Sequence, residues 1–147
     1  MSIPLRVLIV EDSEDDAILV MRALRQGGYE PAFERVDTPE AFTAALARHS
    51  WDVIIADYSM PNFSGLKALK LLVESGHDVP FIIVSGAIGE DVAVSAMKAG
   101  AHDYVMKDNL ARLGPAVQRE LQEARGRLGQ PQAPGEGGPL QDAGKVS

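Results

Sequence analysis

Five short apolar runs, between which lie stretches of 10 to 15 residues that read as helices, set the strongest limit on what this chain can fold into. The runs are "LRVLIV" (5–10), "AFERV" (32–36), "DVIIAD" (52–57), "PFIIVS" (80–85) and "DYVMK" (103–107). A strand–helix alternation of this kind predicts an α/β fold, a parallel sheet with helices on both faces. The first, third and fourth runs are apolar through their centres, as expected of strands buried on both faces. "AFERV" mixes charge with apolar residues and suits a sheet edge.

Helix boundaries carry their own signals. Ser13 with Asp16 has the pattern of a capping box, and Gly27-Gly28 ends that first helix. Thr38-Pro39-Glu40 reads as an N-cap, a first-turn proline and an acidic first turn. The third helix is expected to start near Ser64-Gly65, and the fourth to run from Gly89-Glu90 to Gly100. In the last helix Leu110, Leu113, Val117, Leu121, Ala124 and Leu128 are spaced 3, 4, 4, 3 and 4, giving one core-facing stripe. Gly114-Pro115 interrupts it, so the main helix is predicted to begin at Pro115, after a separate short turn over 110–113. From Gly126 the text becomes "GRLGQPQAPGEGGPLQDAGKVS", without periodicity, and predicts a disordered tail over 126–147 behind a single domain over 1–125.

Composition excludes several classes of function. The 147 residues carry a net charge of −7, which argues against a binder that works by neutralising nucleic-acid phosphates. There is no cysteine, hence no disulfide framework, and this fits a reducing, cytoplasmic setting. No apolar run approaches the ~20 residues that span a bilayer.

Ligands of open parallel α/β sheets sit outside the carboxyl ends of the strands. The first strand delivers Glu11 and Asp12 to that edge, the third Asp57, the fourth Ser85 and the fifth Lys107. Glu14, Asp15 and Asp16 need no explanation beyond the helix dipole. Glu11 and Asp12 precede the cap, and Asp57 caps nothing evident, because the next helix starts only near Ser64. Two like charges ~4 Å apart repel by ~1 kcal/mol in water and ~4 kcal/mol at a protein surface. A hard divalent cation removes that cost, and an all-oxygen donor set suits Mg²⁺ rather than Zn²⁺. His49, His77 and His102 are scattered and read as surface or loop residues. Opposite such a cation, the Ser85 hydroxyl and the Lys107 ammonium could bind oxygens of a phosphoryl group carried by Asp57, with Gly86 leaving backbone room.

On these residues, residues 5–125 resemble the receiver domain of two-component response regulators. The matching motifs are Glu11-Asp12 after the first strand, Asp57 in "DVIIADYSMPNFSG", Ser85 in "FIIVSGAIGE" and Lys107 in "DYVMKDNL". The resemblance implies a flavodoxin-like, doubly wound five-stranded sheet of order 2-1-3-4-5 with five flanking helices. It implies Mg²⁺-dependent phosphorylation of Asp57 by a sensor histidine kinase or a histidine phosphotransfer protein. It also implies that Asp12, Asp57 and the Ser59 backbone carbonyl ligate Mg²⁺, with Glu11 acting through water. Lys107 and Ser85 would hold the phosphoryl group. Movement of Ser85 would open space for Tyr104, a switch that alters the surface offered to an output protein. Against the switch, Tyr104 has the look of an ordinary edge-strand residue with its hydroxyl in water.

Two departures from the family stand out. A proline usually follows the lysine; here Asp108 does, and Asp108 or Asn109 is expected to cap the short "LARL" turn. The "KDNL" form is similar to receivers joined to sensor kinases and other multidomain signalling proteins. No DNA-binding or catalytic output domain is expected within residues 126–147. The alternatives are the receiver portion of a larger hybrid kinase or cyclase, a metal-dependent phosphohydrolase and a flavin-binding module. The hydrolase reading suffers because Ser59 stands where such enzymes place a second aspartate, and Glu11 and Asp12 would repel a flavin phosphate. In the first helix Ala17, Val20 and Leu24 make the core stripe. Ile18, Met21 and Arg25 lie on another face, a candidate kinase contact unless they merely flank the core.

Overall fold

A computed structural model describes residues 2–58, 60, 63–86 and 90–129. Five strands alternate with five α-helices: β1 (Ile3–Val10), α1 (Glu14–Gln26), β2 (Tyr29–Val36), α2 (Pro39–Arg48), β3 (Val53–Asp57), α3 (Gly65–Ser75), β4 (Phe81–Ser85), α4 (Glu90–Lys98), β5 (Asp103–Met106) and α5 (Leu113–Gly129). A 3-10 helix over Lys107–Arg112 links β5 to α5. The strands form one parallel sheet in the order β2-β1-β3-β4-β5, the flavodoxin-like arrangement.

Strand alternation sorts the core into two layers. Leu8, Val10, Ile54, Ala56, Phe81 and Ile83 point to one side, where Phe42 of α2 and Leu69 and Leu72 of α3 cover them. Leu5, Val7, Ile9, Val53, Ile55, Ile82 and Val84 point to the other, beneath Val20, Met21 and Leu24 of α1 and Leu113 and Val117 of α5. Central strands with both faces covered need apolar residues at every position, which explains the unbroken runs.

The cap residues behave as their sequence suggests. Thr38 Oγ1 accepts from Ala41 N–H and Ser64 Oγ from Lys67 N–H, at 3.1 and 3.2 Å. Gly28 and Gly100, with φ of +96° and +113°, follow α1 and α4 in the left-handed region that favours glycine.

Several boundaries differ from expectation. β2 lies at the edge but begins at Tyr29, earlier than Ala32; Tyr29 and Pro31 turn inward, and an edge strand tolerates a proline that cannot donate. Met21, expected on an outer face of α1, is only 2% exposed and belongs to the core, whereas Ile18 is exposed. α5 starts at Leu113, two residues before Pro115, because first-turn N–H groups have no partner within the helix in any case. It continues through Gly126 to Gly129, so the helix outruns the change in composition; residues 130–147 lie outside the described residues. Neither Asp108 nor Asn109 makes the expected capping bond. Instead Asn109 leaves helical geometry (φ −136°, ψ 48°) and kinks the link. His102 is more than a loop residue: its Nδ1 accepts from Phe81 N–H at 3.0 Å, tying the start of β4 to the turn before β5.

Asp103 anchors the last strand to the 3-10 link and to α5. Its carboxylate accepts from Arg112 at 3.1 Å and Arg119 at 3.0 Å, and Arg112 also donates to the Tyr104 carbonyl. This clasp fixes the departure of the chain from β5, where Lys107 comes next.

α1 and α5 meet through glycine. A Cβ on Gly114 would stand 3.1 Å from Gly27 Cα, and one on Gly27 3.0 Å from Gly114 Cα. Both obstacles are backbone, so Gly114→Ala should cost about 1 kcal/mol or more in chemical denaturation, despite alanine's better helix propensity. Gly126→Ala, on the same helix with nothing within 4 Å, should gain about 0.5–1 kcal/mol.

Candidate functional site

The sheet register brings the polar residues together. β1 and β3 pair up to Val10 and Ala56, β3 and β4 up to Asp57 and Val84, and β4 and β5 up to Ser85 and Met106. Glu11, Asp57, Ser85 and Lys107 therefore emerge side by side, at or one residue beyond the ends of the ladders. The rim backbone is secured as well. Glu11 N–H donates to the Val36 carbonyl at 3.0 Å, Arg35 donates to the Glu11 carbonyl at 3.1 Å, and Tyr58 N–H donates to the Val84 carbonyl at 3.1 Å.

Glu11, Asp12 and Asp57 each offer a carboxylate oxygen within 4.8 Å of the others. Glu11 and Asp57 are buried and Asp12 is exposed. Burial, and then the Asp57 charge, pushes the Glu11 pKa up to about 7; the Ser13 N–H and Lys107 oppose the rise, and Asp16 adds to it. That is negative charge held at a free-energy cost. Three carboxylates, all hard oxygen donors, fit Mg²⁺.

Lys107 supplies the opposing charge. Its Nζ lies 2.8 Å from Asp16 Oδ2, 3.4 Å from Asp57 Oδ2 and 3.5 Å from Glu11 Oε1. Burial lowers the Lys107 pKa, but the Asp16 hydrogen bond and the charges of Glu11, Asp57 and Asp16 outweigh it, so the net shift is upward. The ammonium stays charged.

Ser85 is fully buried, and its Oγ has no hydrogen-bond partner among the described residues. A buried hydroxyl without a partner costs ~1–3 kcal/mol, a debt that an arriving oxygen acceptor cancels. Gly86 lies against the lysine stem, where a Cβ would stand 3.6 Å from Lys107 Cδ. Tyr104 is half-buried; its hydroxyl lies 4.0 Å from Met106 Sδ, and burial followed by the nearby Tyr58 raises its pKa. It is packed against the core rather than simply solvated. Ser59 lies outside the described residues.

A family model, the response regulator receiver domain, matches residues 7–118. The chain belongs to that family. Among curated relatives, this receiver is 33% identical over 131 residues to the protein-glutamate methylesterase/protein-glutamine glutaminase of the group 2 operon of Rhodospirillum centenum. That match covers 86% of the receiver but 33% of the relative, so the chain spans about a third of that protein's length. It is 28% identical to chemotaxis protein CheY1 of Helicobacter pylori, over 70% of this chain and 85% of that one. The crystal structure of the signal receiver domain of a putative Luxo repressor protein from Vibrio parahaemolyticus superposes with a TM-score of 0.72 at 29% identity, covering 84% of this chain and 94% of that one. The relatives include signalling proteins and methylesterases. Among the described residues, no helix of this receiver is long and apolar enough to cross a membrane.

Two site residues escape sequence reasoning. The helix dipole accounts for Asp16 as a first-turn acid, yet its carboxylate is the closest partner of Lys107. Gly65 reads as a helix start, yet a Cβ there would stand 2.9 Å from the Asp57 carbonyl oxygen. The sequence signal for each is its neighbourhood: Asp16 sits in the first turn directly beyond the rim, and Gly65 opens the helix that returns against β3.

Proposed function

We propose that this receiver takes a phosphoryl group onto Asp57 from a phosphohistidine of a sensor histidine kinase or histidine phosphotransfer protein, in a Mg²⁺-dependent cytoplasmic reaction. The observation that carries this reading is the buried Asp57 carboxylate, crowded by Glu11 and Asp12 on one side and within 3.4 Å of the Lys107 ammonium on the other. An Asp57 oxygen attacks phosphorus, the P–N bond breaks, and the imidazole leaves with the bonding pair, neutral when its other nitrogen is protonated. Asp12 and Asp57 would ligate the cation together with the Ser59 carbonyl, and Glu11 would act through water. When bound, Mg²⁺ supplies charge neutralisation to the transferring oxygens. Lys107 neutralises a further oxygen, and Ser85 donates its hydroxyl to another once the phosphoryl group is present. Ser85 then gives up the place in which Tyr104 can settle, and the face formed by α4, β5 and α5 changes for an output protein or a further relay step. The chain then catalyses only its own phosphorylation and dephosphorylation.

The test is incubation of the full chain with acetyl phosphate and Mg²⁺, read by intact mass and by hydroxylamine sensitivity. One phosphoryl group per chain, acid-stable, lost with hydroxylamine and absent when EDTA is present, is the expected result. No incorporation would defeat the proposal. Multiple-turnover release of phosphate from a phosphomonoester would replace it with the hydrolase.

A further inference from the structure

Asp16 carries a role that neither the helix dipole nor the phosphoacceptor chemistry requires. In a capping box, the side chain three residues after the cap returns to the cap's own N–H. Half of that arrangement is present here: Asp16 N–H donates to Ser13 Oγ at 3.2 Å. The return bond comes from elsewhere, because Ser13 N–H donates to Glu11 Oε2 at 3.1 Å. Glu11 thus takes the place of the Asp16 carboxylate, which is left to reach across to Lys107, 91 positions away in sequence, at 2.8 Å.

That contact is shorter than either of the other two that Lys107 makes with carboxylates. A hydrogen bond to an ionised group is strong at about 2.7–2.9 Å and weakens beyond. The ammonium therefore makes its short bond to Asp16 and a longer one, at 3.4 Å, to Asp57. Resting on the phosphoacceptor reading above, we propose that Asp16 is a positioning residue: it draws the Lys107 ammonium aside in the unmodified protein, and a phosphoryl group on Asp57 must win that ammonium away.

Asp16 thereby sets how readily the site closes on a phosphoryl group. It stands outside the three-carboxylate cluster of Glu11, Asp12 and Asp57, and acts through Lys107. The Asp16 and Lys107 side chains are 35% and 27% exposed. Their pairing is screened by solvent, and its removal should be read in a few-fold change rather than in orders of magnitude.

The experiment is a titration of the full chain with beryllofluoride, a phosphoryl mimic, at saturating Mg²⁺, following the bound fluoride by ¹⁹F NMR. Asp16→Asn keeps the backbone bond to Ser13 and removes the competing charge; it should bind the mimic about threefold more tightly. Asp15→Asn removes an equal charge from the same exposed helix turn, and should bind as the parent does. A dipole or general field effect would move both variants alike, so equal shifts would overturn the proposal, as would an unchanged or weakened affinity in Asp16→Asn. Asp16→Ser, which also removes the charge, must repeat the result. If the parent chain shows no bound fluoride at all, the phosphoacceptor reading fails and the positioning role falls with it; a parent that binds normally while Asp16→Asn matches it sinks the positioning role alone.

Discussion

Asp57→Asn should take up no phosphoryl group from acetyl phosphate or from a phosphorylated kinase, with incorporation at the level of an unreacted control. Asparagine keeps the size and one oxygen of aspartate but lacks the carboxylate nucleophile, so the loss falls on chemistry rather than on folding. The same variant should be at least as stable as the parent without divalent cation, since it relieves one of three carboxylates gathered within 4.8 Å. Any rise in melting temperature that Mg²⁺ gives the parent should shrink in the variant. Intact mass and thermal denaturation, with and without Mg²⁺, check both halves. Label uptake at the parent's rate would show that phosphorus goes elsewhere.

Gly65→Ala should damage both stability and phosphoryl uptake. Its new Cβ would lie 2.9 Å from the Asp57 carbonyl oxygen and 3.4 Å from Asp57 C and Tyr58 Cα. All three obstacles are backbone, so either α3 or the end of β3 must move. Overpacking of this kind costs typically ~1–3 kcal/mol. The strain also falls on the residue that bears the acceptor, and a displacement approaching ~1 Å can slow a positioned reaction by as much as ~100-fold. Uptake per folded molecule, measured well below the melting transition, should therefore fall by about tenfold or more. A variant that lost stability but kept its uptake rate would show that α3 gives way and the acceptor does not.

The contrast with Gly114→Ala is instructive. There the contact joins α1 to α5, away from the rim, and only stability should suffer. Two glycines with similar crowding thus differ in consequence because of what each one touches.

Much of this protein was legible in its residues. Unbroken apolar runs at Val7–Val10, Ile54–Ala56 and Phe81–Val84 suit strands covered on both faces, and their alternation with helical segments leads to a parallel sheet with helices on either side. Strand ends in such a sheet form one rim, which groups Glu11, Asp57, Ser85 and Lys107 from the sequence alone. Caps such as Thr38 and Ser64 were readable because a side chain bonding a backbone group three residues on is a local event.

What the residues could not announce depends on contacts between distant segments. Met21 looked peripheral along the helix, but the way α1 rolls against β1 and α5 buries it. Gly65 and Gly114 acquire meaning only when another backbone arrives within van der Waals distance. Asp16 shows the division most clearly. Its identity as a first-turn acid is written in the sequence, and so is its N–H bond to Ser13. The direction of its carboxylate is decided by Glu11, which occupies the Ser13 N–H, and by Lys107, which the sheet delivers from the far end of the chain. Local hydrogen bonding and burial patterns act over a few residues and can be read in one dimension; the partners of a charge are set by distance in three.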